Sequence, residues 1–569
     1  MRRLFQYRDI VRLLGFGLCL PMCSGTARES SGLVADAAIR EGSGGKPAAI
    51  DARMGSHDPE AGELAGRGGD PRGGSGGVGG ASGEMGGVAG GTGGEMGTGG
   101  ANGGTSGATG NDGGVIDPGP SDDPPLPACV RTVMVTTDGA LANAIAGATP
   151  GDCILLGDGN YTMQTVTIKG TAAHPIVIRA VNRGKAVATS GSLAVIGASY
   201  VVIEGLRWTS SGSVNIKNSD NIRLSRCRFT PQEVLNLDWV SVGGTSNNVR
   251  IDHNDFGPKS VLGNMISLGG AGVQIVANVR IDHNYFHDIT KGAGNGWETI
   301  KGGVAGLALS SGHTLIESNL FKACGGDPET ISIKSSDSIV RYNTLLATAG
   351  EITLRLGNRN QVYGNFILGT GEPAARGIRV CGQDHKIYNN YVQDTVSEAI
   401  VLEGGDSDVQ NEAGTAHYRV YRANVIYNTA INTAGISIGG GHEFKPVDCT
   451  IANNLVQGSK GALLYESGAA VNPRYEGNIV NPLPGAEIGL ALTAAEIRMA
   501  DPMLTMAGPI FRIGKGSPVI DAARGSYPFV VDDMDGQPRQ KPDVGADEWS
   551  DDPTTRHPLG VSEVGPDSP

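Results

Sequence analysis

One short pattern recurs along much of the chain: an asparagine separated by one residue from a large apolar residue. Successive copies lie roughly 22 to 35 residues apart, a spacing typical of solenoids, in which each repeat forms one coil. The copies are Asn254–Phe256, Asn284–Phe286, Asn319–Phe321, Asn343–Leu345, Asn365–Ile367, Asn390–Val392, Asn424–Ile426, Asn454–Val456 and Asn478–Val480. Because one coil cannot bury its apolar face alone, the repeat predicts a stack of coils that share a continuous core.

Most of these asparagines end a short segment with the alternation of a half-buried strand, as in VRIDHN (249–254), TLIESN (314–319) and HKIYNN (385–390). We interpret each asparagine as a corner between stacked strands, since asparagine tolerates the left-handed backbone conformation that a tight corner needs. Buried asparagine side chains at equivalent corners can also hydrogen-bond to one another along the stack.

Helical periodicity is scarce along the chain. Residues 141–148 are predicted to form a short helix that caps the first coil, and residues 493–499 a second short helix. Few Asn-Gly or Asp-Gly pairs lie between the strand segments, which disfavours the tight hairpins of a β-sandwich. The chain is therefore predicted to be all-β: a single-stranded right-handed parallel β-helix with a short N-terminal helical cap.

The composition divides the 569 residues into four parts. Residues 1–23, with arginines ahead of an apolar run, resemble an export signal. Residues 24–127 are rich in glycine and then in proline and aspartate, and such a segment buries too little apolar surface to fold, so we expect a disordered tether. Residues 128–549 contain the repeat and are predicted to form the β-helix domain, and residues 550–569 are expected to be a loose tail.

The predicted export signal ends at Cys23, which loosely resembles the lipidated residue of a bacterial lipoprotein. We therefore expect an exported protein, extracellular or anchored at the outer membrane or cell surface through a lipid on Cys23; secretion without a lipid is the alternative. Cys129 and Cys153 could close the N-terminal end of the domain with a disulfide. The other cysteines of the domain are expected to be buried as small apolar residues.

The net charge of −13 argues against nucleic acid as a partner, yet four strand-like segments each place a cation on their polar phase. The segments are NGWETIKGG (295–303), DPETISIK (327–334), EITLRLGN (351–358) and RGIRVCG (376–382), and the cations are Lys301, Lys334, Arg355 and Arg379. If the segments stack, Lys334, Arg355 and Arg379 form a column with neighbours about 5 Å apart. Like charges this close are unfavourable without an anion, so the column predicts an anionic ligand.

Oxygen ligands lie close to these cations in the sequence. Asn295, Asp327 and Glu329 offer an amide oxygen and two carboxylates, which suit Ca²⁺; a solvated turn is the alternative. A lysine beside an arginine and a divalent cation loses its proton more readily, which makes Lys334 a candidate general base. The alternative is that Lys334 and Arg355 are surface cations paired with nearby glutamates.

Several spaced motifs, in the same order, resemble the core of polysaccharide lyase family 6, which includes chondroitinase B and alginate lyases. They are Asn295-x-x-Glu298-Thr299-Ile300, Asp327-x-Glu329-x-x-x-x-Lys334, Leu354-Arg355-x-Gly357-Asn358 and Gly377-Ile378-Arg379, with VVIEGLRW (201–208), VRIDHNYFHDI (279–289) and HKIYNNYV (385–392) outside the site. The resemblance covers roughly residues 190–480.

The resemblance implies a calcium-assisted β-elimination of a uronic-acid polysaccharide, most often alginate. Carried onto this chain, it implies that Lys334 takes the C5 proton and that Arg355 stabilises the departing O4 oxygen. The implied ligands of Ca²⁺ are Asn295, Asp327 and Glu329. Arg379 would hold a neighbouring carboxylate or hydroxyl, and Lys301 and Trp297 are further candidates for substrate binding, although Trp297 could equally pack within its loop.

Two positions depart from the family pattern. The first acidic ligand is usually glutamate and here is Asp327, and the residue after the arginine is often histidine and here is Leu356. These departures keep a non-catalytic carbohydrate-binding β-helix at the cell surface open as an alternative. A dermatan or chondroitin sulfate lyase of the same family is a further alternative, because no residue here dictates alginate. A capped solenoid has no need of a partner, so we expect a monomer.

Overall fold

The chain passes repeatedly through three long parallel sheets, one strand of each sheet per coil. The computed structural model describes residues 127–290, 292, 294–410, 414 and 416–569. Neighbouring strands within a sheet come from successive coils, so that, for example, Ile316 lies beside Val340 and Val340 beside Val362. This parallel stack is a β-helix of about fourteen coils, which confirms the predicted fold class.

The strands divide among the sheets as follows. The first sheet contains Arg131–Val135, Asp152–Leu156, Ile176–Ala180, Ser199–Glu204, Asp220–Ser225, Asn247–Asp252, Arg280–Asp282, Leu315–Glu317, Ile339–Arg341, Gln361–Tyr363, Lys386–Tyr388, Asn424–Ile426, Thr450–Ala452 and Arg474–Glu476. The second contains Gly159–Thr162, Ala186–Ser190, Arg207–Trp208, Arg228–Phe229, Asp255–Phe256, Tyr285–Ile289, Leu320–Cys324, Thr344–Leu346, Phe366–Leu368, Tyr391–Gln393, Thr429–Ile431, Leu455–Gly458, Asn478–Pro482 and Ile497–Met499. The third contains Thr165–Val166, Leu193–Ile196, Val214–Lys217, Val240–Gly243, Ile266–Leu268, Ile300–Gly302, Glu329–Lys334, Glu351–Leu356, Ile378–Val380, Ile400–Glu403, Ile436–Gly440, Gly461–Glu466 and Ala486–Gly489.

Little of the described chain is helical. One α-helix, Asp138–Ala146, packs Leu141 and Ile145 into the core and is capped at its N-terminus by the Thr137 side chain, so the predicted cap is confirmed with slightly earlier bounds. Short 3₁₀ turns span Ala305–Leu307 and Val561–Glu563, and two small hairpins pair Gly270–Ala271 with Gln274–Ile275 and Thr505–Ala507 with Ile510–Arg512. None of the helices among the described residues has the length and apolar character needed to cross a bilayer.

The helix predicted over residues 493–499 is wrong. Ile497–Met499 is a strand that pairs with Asn478–Val480 and ends the second sheet. Pairing with the last complete coil satisfies its backbone, and tertiary context of this kind routinely overrides a weak helical preference.

A ladder of buried asparagines runs through the corner between the first and second sheets. In each but the last, the backbone N–H and the side-chain amide donate to Oδ1 of the next asparagine, as Asn319 does to Asn343 at 3.1 and 2.9 Å. The members are Asn254, Asn284, Asn319, Asn343, Asn365, Asn390, Asn428, Asn454 and Asn478. The predicted side-chain hydrogen bonding along the stack is therefore confirmed.

Two details of the ladder correct the prediction. Asn428, not Asn424, is the member from its coil, because Asn390 donates to Asn428 Oδ1. The left-handed residue of the corner is the one before each asparagine, for example Tyr427 with φ 56°. The asparagine itself is needed for its side chain, which satisfies buried backbone groups of the adjacent coil.

Ladders of apolar side chains fill the space between the sheets. The second sheet contributes a continuous aromatic stack in which neighbouring ring centroids lie 4.6 to 6.0 Å apart. Its members are Trp208, Phe229, Phe256, Phe286 and Phe321. Because inward positions are committed to this core, the chemistry of the molecule is left to the outward positions of the sheets and to the loops between them.

Both ends of the described chain are attached to the β-helix. The disulfide between Cys129 and Cys153 confirms the expected pairing, and the other cysteines of the domain are buried and free, as expected. The segment 551–569, expected to be a loose tail, makes defined contacts with the outside of the coils: Val564 is buried, and the Gly565 amide donates to the His283 carbonyl. The predicted signal (1–23), Cys23 and residues 24–126 of the tether lie outside the described residues.

Candidate active site

The candidate site lies on the outward face of the third sheet, on the strands Glu329–Lys334, Glu351–Leu356 and Ile378–Val380. Ile331 and Ile333 face the core beside Ile352 and Leu354, which turns the alternate residues outward. The register shifts twice between the first two strands, once after Glu329 and once before Lys334. These irregularities re-aim the side chains at the two ends of the strand pair.

The predicted single column of Lys334, Arg355 and Arg379 is wrong in its register. Lys334 lies opposite Leu356, so Arg355 occupies the irregular position between two paired residues. Arg379 lies opposite Thr353, which precedes Arg355 by two residues in the strand Glu351–Leu356. Arg379 is therefore not aligned with Arg355. An even alternation read from sequence cannot anticipate such a shift, because it depends on the loops that enter and leave the strands.

Lys334 and Arg355 nevertheless lie on adjacent coils and act on the same carboxylate. Burial raises the pKa of Glu329, but the charges of Arg379 and Lys334, the hydrogen bond from Ser332 and the charge of Arg355 together bring it below its ordinary value. Lys334 Nζ lies 3.6 Å from Glu298 Oε1, and the Lys334 side chain remains 13% exposed. Arg355 is largely buried and its Nη1 donates to the Ala416 carbonyl at 3.0 Å, which fixes the guanidinium against the loop 404–423.

Arg379 is surrounded by carboxylates. It forms ion pairs with Glu329, with Glu351 at 2.8 Å and with Glu403 at 3.4 Å. These contacts do not favour the expected binding of a substrate group by Arg379, because three carboxylates already neutralise its charge. Residues 329 and 379 are far apart in sequence but lie on coils only two apart. The ion pair between Arg379 and Glu329 therefore could not be predicted from the sequence alone.

A second acidic group lies beside Lys334 and consists of Glu298, Asp327 and Glu329. Asp327 accepts from the Glu329 amide at 3.0 Å and lies 3.5 Å from the Trp297 amide. Burial and then the charge of Glu298 raise the pKa of Asp327 to about 7. Burial likewise raises the pKa of Glu298, whose Oε2 is buried without a hydrogen-bond partner among the described residues.

The other predicted site residues occupy the rim of this acidic group. Asn295 is exposed in the loop just before Trp297. Lys301 lies one coil before Ser332 and opposite to it. The charge of Lys301 acts to lower the pKa of Glu298. Trp297 packs against the core and has Lys259 Nζ 4.8 Å from its ring centroid, which favours the loop-packing role over stacking on a sugar.

Sequence reasoning missed the glutamates that organise the site. Glu298 and Glu351 belonged to the quoted motifs but were not given roles, although a buried carboxylate beside two cations is a recognisable signal. Glu403 carried no sequence signal, and neither did His417, whose pKa is lowered by burial and then by the charge of Arg355. The site thus holds a partly exposed amine, a fixed guanidinium and a group of carboxylates on one face, an arrangement able to bind and deprotonate an anionic substrate.

Comparisons with known proteins agree with this fold. The sequence matches the chondroitinase B family over residues 135–460, more than half of the chain and including every site residue named above. No curated protein sequence matches the chain.

Three solved structures illustrate the likeness. The family 6 alginate lyase AlyGC is 24% identical with a TM-score of 0.61, and the match covers 76% of this chain but only 58% of that one. A mannuronic acid-specific family 6 lyase from human gut microbiota is 27% identical with a TM-score of 0.54, covering 62% of this chain and 86% of the other. A family 6 polysaccharide lyase from Pseudopedobacter saltans is 22% identical with a TM-score of 0.53, covering 76% and 99%. The chain thus belongs to the chondroitinase B family, that is, to polysaccharide lyase family 6.

Proposed function

We propose that this chain cleaves a uronic-acid polysaccharide, with alginate as the first candidate, by β-elimination at the third-sheet site. One observation carries the proposal: Lys334 lies opposite Leu356, the residue after Arg355, on the adjacent coil, and its Nζ lies 3.6 Å from the buried carboxylate of Glu298. Family membership supplies the reaction class, and the alginate lyases among the similar structures favour alginate. Dermatan or chondroitin sulfate is the alternative substrate, and the name of the matching family keeps it open.

The proposed reaction needs no attacking water. Once deprotonated, Lys334 Nζ takes the proton from C5 of the uronate, and the C5–H electron pair forms the C4–C5 double bond. The C4–O4 bond breaks with its electrons on O4, where Arg355 donates a hydrogen bond and stabilises the negative charge before solvent supplies a proton. The Ala416 carbonyl, which already accepts from Arg355 Nη1, would hold the guanidinium in the orientation this step needs.

We further propose that the acidic group beside Lys334 holds Ca²⁺, with Asp327, Glu329 and Asn295 as ligands and Glu298 as an added one. The residues fit a hard cation: Glu298 Oε2 is buried without a hydrogen-bond partner among the described residues, burial and the charge of Glu298 raise the pKa of Asp327, and a positive ion would favour both carboxylates in their charged form. Glu329 is also held by Arg379 and by Ser332 Oγ at 2.5 Å. When bound, the ion would neutralise the uronate carboxylate and so make the C5 proton more acidic.

A non-catalytic binding protein remains the competing function, because Asp327 and Leu356 depart from the family pattern. Leu356 packs against Ala308 and Tyr418 in a small apolar cluster under the loop 404–423. No imidazole therefore follows Arg355 directly, and a binding role needs only the cations and the groove. The two functions differ in whether an unsaturated product accumulates.

An absorbance assay on the purified protein separates the two functions. We expect absorbance near 235 nm to rise with alginate and Ca²⁺, since a C4–C5 unsaturated uronate absorbs there, and we expect the rise to stop when calcium is chelated. Polymannuronate, polyguluronate and dermatan sulfate in parallel would identify the substrate. Absence of product on all four polymers would reject the lyase and favour a binding protein.

The Lys334→Ala variant tests the base directly. Loss of a positioned general base costs about 10²- to 10⁴-fold in rate, so we expect kcat to fall by at least that much while KM changes little. Lys322→Ala is the matched control, because Lys322 is exposed on the second sheet and should leave kcat unchanged. Turnover by Lys334→Ala at the wild-type rate would remove Lys334 from the mechanism.

We also propose that the protein is exported, with 128–549 as the lyase domain on a tether. The Cys129–Cys153 disulfide supports this, because such bonds persist in oxidising compartments outside the cytosol. Labelling with a radioactive fatty acid would distinguish attachment through Cys23 from plain secretion. Label that is present on the wild-type protein and absent from Cys23→Ala supports the lipid anchor, and a wild-type protein without label rejects it.

A further inference from the structure

Besides the residues assigned to the reaction, two histidines and a glutamate converge next to Arg379, at the end of the strand on the following coil. The potential ligand atoms of Glu403, His417 and His442 all lie within 4.8 Å of one another. Glu403 ends the strand Ile400–Glu403, His417 lies in the loop that follows, and His442 lies in the turn after the strand Ile436–Gly440. Three separate elements therefore deliver nitrogen and oxygen donors to one point.

The two imidazoles are arranged as a pair. Their rings are stacked with centroids 4.5 Å apart. Asp406 Oδ2 is hydrogen-bonded to His417 Nδ1 at 3.4 Å and lies 4.0 Å from His442 Nδ1. A carboxylate beside a metal-binding histidine typically fixes its tautomer and orientation, and Asp406 occupies that position for His417.

The two oxygens of Glu403 face different neighbours. Oε2 accepts from Cys381 Sγ at 3.1 Å and lies 3.4 Å from Arg379 Nη1. Oε1 points to the turn that carries His442: Gly441 has φ 87°, and a Cβ at that residue would lie 3.2 Å from Oε1. A side chain at Gly441 would be strained and would crowd the carboxylate. Oε1 is thus the atom of Glu403 that faces the histidines.

We propose that Glu403, His417 and His442 bind one divalent transition-metal ion of the Zn²⁺ type, with Asp406 orienting the imidazole of His417. Imidazole nitrogen with a single carboxylate suits zinc, copper or nickel, whereas Ca²⁺ prefers oxygen ligands throughout. This site is therefore chemically distinct from the acidic group beside Lys334. Two imidazoles and a carboxylate leave a fourth coordination position, and the 32% exposed His442 side chain places it toward solvent.

The charge around the cluster tolerates an added cation. Arg379, which contacts Glu403, is already offset by Glu329, Glu351 and Glu403. Arg355 is the other guanidinium whose charge reaches His417, and Asp406 adds a negative charge that opposes it. A bound ion would tie the loop 404–423 to the strand Ile400–Glu403. That loop also supplies the Ala416 carbonyl to Arg355, so the ion would steady the segment that holds the guanidinium.

Metal binding by the full-length protein tests the proposal without reference to turnover. After chelator treatment and dialysis, Zn²⁺ is titrated by calorimetry and by competition with a chromophoric chelator, in excess Ca²⁺. We expect one equivalent to bind with Kd of about 1 µM or tighter, and bound Co²⁺ to give visible absorption bands. The absence of stoichiometric binding would overturn the proposal, as would displacement of Zn²⁺ by Ca²⁺.

Variants locate the ion. His417→Gln and His442→Gln should each weaken Zn²⁺ binding about 100-fold or more, whereas His174→Gln, at an exposed position far from the cluster, should not. Unchanged affinity in both cluster variants would overturn the proposal. Should either variant fail to fold by circular dichroism, anomalous scattering from wild-type crystals soaked in Zn²⁺ decides: density between Glu403, His417 and His442 supports the site, and density elsewhere rejects it.

Discussion

At the scale of single residues, burial between coils decides which side chains carry charge. His385 is fully buried, with its Nδ1 accepting from the Asn360 amide at 3.1 Å and its Nε2 lying 2.9 Å from the Cys381 carbonyl. Nε2 must therefore carry the proton. This burial lowers the pKa of His385 to about 4, against 6.5 for an unperturbed histidine, so the ring is a neutral structural link at physiological pH.

The depressed pKa of His385 predicts a loss of stability in acid. The folded state binds fewer protons than the unfolded state between pH 6.5 and 4. The stability that comes from keeping His385 neutral is therefore fully present above pH 6.5 and is lost as the pH falls through 4. We expect wild type to lose about 3 kcal/mol more than His385→Asn between pH 7 and pH 4, as measured by denaturant unfolding. His174→Asn, at an exposed position, should follow wild type. Parallel pH profiles for wild type and His385→Asn would contradict the assignment.

Residue types and their spacing indicated Lys334 and Arg355, but not the network around them. A carboxylate's partner depends on which coils become neighbours and on the register between them, as the contact of Arg379 with Glu329 shows. The irregular pairing at Arg355 moves it out of line with Arg379. Neither effect follows from alternation along one strand, since both arise from loop geometry.

At the scale of the structural element, the asparagine ladder joins nine coils through side chains that replace backbone hydrogen bonds. Each member donates to one or two backbone carbonyls, and all but the last also donate to the next asparagine, as Asn343 does to Ile316 O, Arg341 O and Asn365 Oδ1. These groups are buried, so removing an asparagine takes away hydrogen bonds that water cannot replace. The period of the repeat therefore follows a ladder of hydrogen-bonded asparagines in an otherwise apolar core.

Removing one rung of the ladder should be costly. Asn343→Ala leaves the backbone amide of Asn319 buried without its acceptor and removes one donor from each of two buried carbonyls. We expect a loss of about 2 kcal/mol or more in the free energy of unfolding. Asn424→Ala is the matched control, because the Asn424 side chain makes one long, exposed bond to Arg422 O and should cost less than about 0.5 kcal/mol. Equal losses in the two variants would contradict the ladder's role.

The strands and the coil period could be predicted from the sequence, but one ladder member and the last strand of the second sheet could not. Strand existence and coil period could be predicted, because alternation and repetition are local signals. Asn424, followed by Ile426, fits the repeat, whereas Asn428 is followed by the small Ala430. The hydrogen bonds from Asn390 and the left-handed Tyr427 nevertheless place Asn428 in the ladder. The strand Ile497–Met499 depends on the coil beneath it, which no local pattern reports.

At the scale of the whole molecule, the C-terminal segment links coils that are distant in sequence. The Leu559 amide donates to Thr344 Oγ1 at 2.8 Å, the Gly565 amide to the His283 carbonyl, and Arg226 Nη1 donates to the Ser568 carbonyl at 2.7 Å. The segment therefore runs back along five coils, about 20 Å at the usual strand spacing. Its polar composition suggested a loose tail, because composition reports apolar burial but not hydrogen bonds to an existing surface.

Truncation after Ser550 tests whether this strap stabilises the fold. Deleting residues 551–569 removes the three anchors and the burial of Val564, so we expect a loss of at least about 2 kcal/mol, whereas Arg226→Ala, which removes only the last anchor, should lose less. In the intact chain, hydrogen exchange should show protected amides at Leu559 and Gly565. Exchange of both amides at the rates of an unfolded peptide, together with unchanged stability of the truncated chain, would mean that the coils hold together without the strap.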